Sequence, residues 1–223
     1  MKKKGLLFIL VFFLSFSFQL AGQDIKTSLI GINIFQLPAG TLNVNYSLEP
    51  KPFFTVAVDA GYTFNYIAFE KTDLIGYLLT RHNDLYDGYY LKKQSGGYLK
   101  LGGFLNLRND FSKRNYFHLG IFLTNALAYE EGYYQDPSDS QPYTEADRIN
   151  HRVFLFGLGS SVGYEFSLGK RLKCSTDYQL TWTSNMNELY SYTHFVPGMG
   201  ATGCTAAKFF PMLMLNLKYC IKS

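Results

Sequence analysis

Beyond residue 20 the chain holds no run of 18 apolar residues, which excludes a bundle of membrane-spanning helices. It has a single tryptophan and three cysteines, Cys174, Cys204 and Cys220. That odd, widely spaced set fits neither a zinc site nor a closed disulfide framework. An excess of one charge sign is also missing. Lys2, Lys3 and Lys4 fall in the first 22 residues; removing them from 21 basic residues leaves 18 against 17 acidic ones, a balance of +1. No basic stripe interleaved with aromatics occurs past that point, so nucleic acid is not an expected partner.

What is present is first a leader. Lys2–Lys4 precede an apolar run from Gly5 to Leu20 and then the small residues Ala21 and Gly22, the three-part layout of a secretory signal peptide. The expected organisation is a signal peptide over 1–22, cut near Gly22–Gln23, and one domain over 23–223. A retained anchor would need about 18 to 20 apolar residues and a charged stop. In an oxidising compartment at least one thiol then stays free or pairs outside the chain, and Cys174 and Cys220 take opposite strand parity.

Phenylalanine and tyrosine number 20 and 18, a load that suits strands and membrane interfaces. From Phe54 to Tyr66 apolar or aromatic residues (Phe54, Val56, Val58, Ala60, Tyr62, Phe64, Tyr66) alternate with Thr55, Ala57, Asp59, Gly61, Thr63 and Asn65. Period two means one face meets an apolar medium and the other does not. Comparable segments predict eight strands, at about 26–35, 40–48, 53–67, 96–107, 115–130, 151–166, 171–185 and 207–220. Short turns are expected at Glu49–Pro52, Asn109–Arg114 and Leu168–Arg171, with a small one at Gln36–Gly40. Long polar loops are expected at 68–95, 131–150 and 186–206. Short turns alternating with long loops around an even number of strands are the pattern of outer-membrane barrels. The expected fold is therefore all-β, an eight-stranded antiparallel up-and-down transmembrane β-barrel, in the cell outer membrane.

One parity carries Leu99, Leu101, Leu119, Ile121, Phe154, Leu158, Tyr178, Leu213 and Leu215; the other carries Asn43, Asn45, Gly102, His118, Gly120, Gly157, Gly159, Gln179 and Asn216. Parity alone allows a soluble barrel with the greasy face inward. A solvated exterior would be crowded with Lys and Glu, whereas the polar face here is mostly small with isolated charges, as a narrow lumen requires. Tyr46, Phe54, Phe117, Tyr164, Phe166 and Tyr219 on the turn side, and Tyr62, Tyr66, Tyr129 and Trp182 on the loop side, are expected to form two interfacial girdles.

The chain resembles the small eight-stranded outer-membrane barrels related to OmpA and OmpX, particularly variants common in Bacteroidetes. The stretch Gly31–Tyr46 carries the likeness as an opening hairpin. The ending Tyr219-Cys220-Ile221-Lys222-Ser223 departs from the terminal aromatic of many such barrels. The resemblance implies a non-enzymatic protein with a structural or surface-interaction role and no open pore. Its implied partners are outer-membrane lipid and lipopolysaccharide, with a protein or ligand at the extracellular loops. Two other readings are a lipid-modifying enzyme and a membrane subunit of a larger export or uptake complex.

An eight-stranded interior is just wide enough for side chains to fill it, so charges of lumen parity must pair. Asp59, Lys100, Glu165, Lys173, Asp177 and Lys218 are expected to form a structural lumen cluster, with Glu165 and Lys173 as neighbours across the turn at 168–171. Barrel lipid A deacylases carry a His two residues before a Ser on a lipid-facing strand; the nearest match, Trp182-Thr183-Ser184-Asn185, lacks the His, and His118 with Thr124 makes no triad. No catalytic, cofactor or metal residue is expected. Glu130, Glu131, Asp136, Asp139, Glu145 and Asp147 lack the spacing of a calcium loop. Tyr86, Tyr89, Tyr90, Tyr133 and Tyr134 are the expected loop recognition residues, because tyrosine supplies amphipathic contact area at low entropic cost.

Overall fold

Period-two segments of this kind find a partner on each side and close on themselves. The structure, a computed structural model, describes residues 27–37, 40–64, 89–108, 115–134, 148–183, 194–202 and 209–222. Eight strands form a closed antiparallel barrel: β1 (Thr27–Asn33), β2 (Thr41–Lys51), β3 (Phe54–Thr63), β4 (Tyr89–Leu107), β5 (Tyr116–Tyr134), β6 (Arg148–Ser167), β7 (Leu172–Thr183) and β10 (Phe209–Lys222). Sequence neighbours are barrel neighbours throughout, and β10 returns to β1. The segment between β7 and β10 contributes a small hairpin, β8 (His194–Val196) paired with β9 (Gly200–Thr202).

Leu99, Leu105, Leu107, Phe117, Leu119, Ile121, Leu127, Phe154, Leu158 and Val162 stand exposed, while Asn43, Asn45, Asp59, Lys100, His118, Glu165, Asp177 and Gln179 are buried. The polar parity therefore faces the lumen. The apolar exterior on β5 runs from Phe117 to Leu127, and on β6 from Phe154 to Tyr164. About eleven tilted residues of ~3.3 Å each rise about 25 Å, the height of an outer-membrane apolar band. Phe117 and Tyr164 pack at 4.7 Å between centroids near the turn-side edge. Tyr62 (48% exposed) and Trp182 (40% exposed) stand outward at the other edge. Tyr46, expected in the turn-side girdle, pairs with Ile30 and Val58 nearer mid-height. Tyr66 lies outside the described residues.

Three boundaries differ from the sequence reading. β2 does not stop before Glu49: it continues through Pro50 to Lys51, with a register shift between Leu48 and Lys51, and the turn is Pro52–Phe53. A bulge accommodates the proline, which cannot donate to a ladder. Strands β4, β5 and β6 rise past the apolar band as a three-stranded wall, pairing Tyr89 with Tyr134 and Tyr133 with Arg148. Outside lipid the exterior face carries no apolar signal, so alternation stops being visible while pairing goes on. The residues expected in a loop at 186–206 include hairpin β8–β9, which folds into the barrel mouth.

The seam between β1 and β10 is short, running from Ser28 opposite Lys222 to Asn33 opposite Asn216, whereas β5 and β6 pair from Tyr116 to Tyr133. Asn33 extends the seam: its Oδ1 accepts from the backbone N–H of Leu215 at 3.2 Å and of Phe35 at 3.0 Å. No disulfide joins Cys174 and Cys220. Cys204 and the expected signal peptide lie outside the described residues.

Candidate functional site: the barrel lumen

The lumen has three zones stacked along the barrel axis. At the turn side the ends of β2, β4, β5, β6, β7 and β10 bring Glu49, Arg108, Tyr116, Glu165, Lys173 and Lys218 together. Glu165 is the hub: Lys173 Nζ donates to Oε1 at 2.8 Å and Lys218 Nζ to Oε2 at 2.8 Å. Glu49 receives Arg108 Nη2 at 3.2 Å and Lys173 Nζ at 3.4 Å. The Tyr116 hydroxyl stands 2.8 Å from Glu49 and 2.7 Å from Glu165, so its one proton serves either carboxylate in turn. The Arg108 guanidinium covers the Tyr116 ring at 3.8 Å, a cation–π contact.

The expected pair of Glu165 and Lys173 is thus present, though diagonal in register: Glu165 faces Ser175, and Lys173 faces Ser167 on one side and Lys218 on the other. Glu49, Arg108 and Tyr116 are absent from the cluster expected on sequence. Parity is the signal that could have found all three, since they continue the lumen sides of Asn45–Ser47, Asn106 and His118. Pro50 hides the first by suggesting a turn.

At mid-height Asp177 organises the second zone. It accepts from Ser175 Oγ at 2.8 Å and from Asn216 Nδ2 at 2.8 Å, and pairs with His118 Nε2. Among the described residues His118 pairs with a carboxylate, and Ser175 bonds that carboxylate rather than the imidazole, so this group lacks the base–nucleophile contact of a hydrolase. Asp59 and Lys100 occupy opposite register positions, but among the described residues they form no ion pair. Asp59 receives Asn43 Nδ2 at 3.1 Å and the Tyr98 hydroxyl at 3.3 Å. Lys100 Nζ reaches across to Gln179 Oε1 at 2.6 Å and lies 4.8 Å from the Phe122 ring centroid. Of the six expected cluster members, Glu165, Lys173 and Lys218 form one group, while Asp177, Asp59 and Lys100 stand in separate networks.

A cavity of about 60 Å³ lies between these zones, lined by Asn45, Ser47, Asp59, His118, Asp177 and Lys218 among others. That is room for about four waters. Among the described residues Asn45 Oδ1 and Ser47 Oγ find no hydrogen-bond partner, and both line this space. Buried polar atoms of this kind are satisfied by ordered water. Large and small side chains interlock around the cavity: a Cβ at Gly120 would fall within the Phe104 ring, and one at Gly159 within Phe122.

The third zone, at the loop side, is apolar. Val196 and Met199 of the β8–β9 hairpin are fully buried and pack with Tyr98, Ala126, Ala128, Val153, Leu155 and Phe210. Burial of two such side chains stabilises the hairpin's seat by roughly 1.5–3 kcal/mol each. Gln36, from the β1–β2 turn, closes the remaining side by donating to Met212 Sδ at 2.7 Å, and its Oε1 lies 3.2 Å from the Tyr98 hydroxyl. From the turn-side rim up to Lys100 the lumen holds four cations (Lys100, Arg108, Lys173, Lys218) and four carboxylates (Glu49, Asp59, Glu165, Asp177).

Of the expected recognition residues, Tyr89 and Tyr90 start β4, Tyr133 and Tyr134 end β5, and the register pairs Tyr89 with Tyr134 and Tyr90 with Tyr133. They belong to the projecting wall rather than to loops. Tyr86 and Ser184 lie outside the described residues.

No family model matches this sequence, and no curated protein matches it. Solved structures similar to it include three outer-membrane proteins. The N-terminal β-barrel domain of Pseudomonas aeruginosa OprF is 8% identical over 89% of this chain and 100% of its own, at a TM-score of 0.39. Neisserial surface protein A, NspA, is 9% identical over 88% and 94%, at 0.43. A major outer membrane protein from Thermus thermophilus is 11% identical over 89% and 100%, at 0.49. The eight-stranded closed barrel itself is read from this chain's own strand pairing.

Proposed function

We propose that this chain is a non-enzymatic outer-membrane barrel, exported by the leader at 1–22, with a closed lumen and a structural or surface-interaction role. The observation that carries the reading is the combination of an eleven-residue apolar belt outside with a self-neutralised charge network and an apolar hairpin inside. The belt supports residence in a bilayer. The interior supports closure, because every ion crossing it would have to break Glu165's pairs and displace Met199. What then remains available to other molecules is the wall of β4–β6 and the segments that connect the strands on the same side.

The test is reconstitution of the mature protein in a planar bilayer, after verifying that its gel mobility shifts on boiling. A folded barrel without unitary conductance is expected; steady single-channel openings in a folded sample would refute closure. Incubation with outer-membrane lipids should leave their acyl chains intact, and release of fatty acid would favour the enzyme reading instead.

A further inference from the structure

We propose that two copies of this chain associate in the bilayer across the exterior of β4–β6, with their Asn125 carboxamides paired at a two-fold axis. The proposal rests on the outer-membrane reading above and names the partner of one face of the belt.

Asn125 breaks the pattern of its strand. Phe117, Leu119, Ile121, Leu123 and Leu127 share its outward parity on β5, and among the described residues it is the one carboxamide within the apolar belt. It lies two residues below Leu127, which at ~3.3 Å per residue and the usual strand tilt is about 5 Å under the top of the belt. The register sets it between Leu99 and Phe156, and its diagonal neighbours on those strands are Gly97, Leu101, Phe154 and Leu158. None of these side chains can donate or accept a hydrogen bond. Tyr129, the next outward polar residue on β5 in the loop-side direction, directs its hydroxyl to Asn150 at 3.2 Å. Asn125 is half-buried, and its carboxamide has no hydrogen-bond partner among the described residues. An acyl chain offers nothing to such a group, and a polar side chain held in hydrocarbon without a partner is costly.

A second copy supplies what lipid cannot. Two barrels inserted in the same direction are related by an axis along the membrane normal, and a residue on that axis meets its own mate. A carboxamide carries both donors and an acceptor, so each Nδ2 donates to the other copy's Oδ1 and one residue type closes two hydrogen bonds. A lysine or an aspartate at the same place would meet its own charge. Around the pair, Leu99 and Leu127 are 51% and 43% exposed. With Phe156 they form an apolar rim that packs on the same residues of the second copy and keeps lipid away from the amides. Polar side chains join membrane-embedded segments in this way. The opposite side of the barrel carries no such group: Ile30, Ile32 and Leu213 stand exposed on β1 and β10, a surface suited to acyl chains alone.

The test is sedimentation equilibrium of the mature protein in density-matched detergent micelles, joined to cross-linking in phosphatidylcholine vesicles. Wild type should sediment as a monomer–dimer equilibrium. Asn125→Leu, which completes the apolar belt, should keep the heat-shifted band and weaken the dimer by about tenfold. If that variant gives no heat-shifted band, Asn125→Ala replaces it and should weaken the dimer to the same degree. In a Cys174→Ala, Cys204→Ala, Cys220→Ala background, Asn125→Cys should yield a disulfide-linked dimer on mild oxidation, whereas Thr176→Cys, two strands away on β7, should not. Wild type that stays monomeric at every protein-to-detergent ratio, undiminished association of a folded Asn125 variant, or cross-linking at 176 as efficient as at 125 would overturn the proposal while leaving the barrel reading intact. Failure of wild type to form a heat-modifiable barrel would instead strike the reading on which it rests.

Discussion

Glu165→Gln should be the most damaging single change in the turn-side network, and its cost can be worked from the contacts. Glu165 is the only carboxylate within 4.0 Å of Lys218 among the described residues, whereas Lys173 also reaches Glu49 at 3.4 Å. Neutralising Glu165 therefore strands Lys218, whose side chain is 13% exposed. Breaking a buried pair in this way costs about 3–5 kcal/mol when the site is dry. Lys218 lines a cavity with room for water, so about 3 kcal/mol is the expected loss. Lys218→Met leaves Glu165 with Lys173 and Tyr116, and should cost about half as much. The double variant removes both charges together, so its loss should fall below that of Glu165→Gln alone, giving a coupling energy of about 1.5–3 kcal/mol. Urea unfolding in lipid vesicles is the assay. Trp182 is the sole tryptophan and stands 40% exposed on the lipid-facing side, so its fluorescence reports loss of the barrel directly. Losses that add to within about 0.5 kcal/mol would show that the two residues do not sense one another.

Met199→Ala should loosen the loop-side seal by about 2–4 kcal/mol, read as earlier protease cleavage around 194–202 with little change in Trp182 unfolding if the hairpin releases independently. Gly159→Leu should destabilise the barrel by at least about 1–3 kcal/mol, because the new side chain lands on Phe122; adding Phe122→Ala should restore part of the loss, and no rescue would mean that the ring is not the obstacle. A cleavable tag inserted between residues 135 and 147 should be cut on intact cells, and one beside Lys170 should not; the reverse pattern would invert the orientation.

Much of the barrel is legible in the sequence because lipid on one side and packed side chains on the other impose opposite chemistries on alternate residues. Asp59 through Thr63 and Phe117 through Leu127 show this without any structure. Legibility ends where one of the two media ends. Past Leu127 the strands go on pairing without an apolar exterior row in the sequence, so pairing there leaves no periodic trace. His194–Thr202 reads as loop because a three-residue strand holds too few alternations to register, although it seats two fully buried apolar side chains. In the lumen, parity identifies the charged residues but not their partners. Lys100 bonds Gln179 across the interior rather than Asp59 beside it, and a reach across a closed interior depends on curvature that no strand-by-strand pattern contains.

The short seam between β1 and β10 carries a consequence for how the chain reaches this form. Those strands are the most distant in sequence, and the loop their pairing closes spans almost the whole domain, so it gains little enthalpy for a large entropic cost. The other junctions can zip successively from local hairpins, but this one must wait for the last strand to be made. Until then the sheet has two raw edges, and an exposed edge is a template for misassembly. The Asn33 side chain, clasping Leu215 just past the end of the ladder, acts as a latch on the final step. Assembly is thus rate-limited at the joint that closes last, and a chain truncated after β7 would have no way to shut.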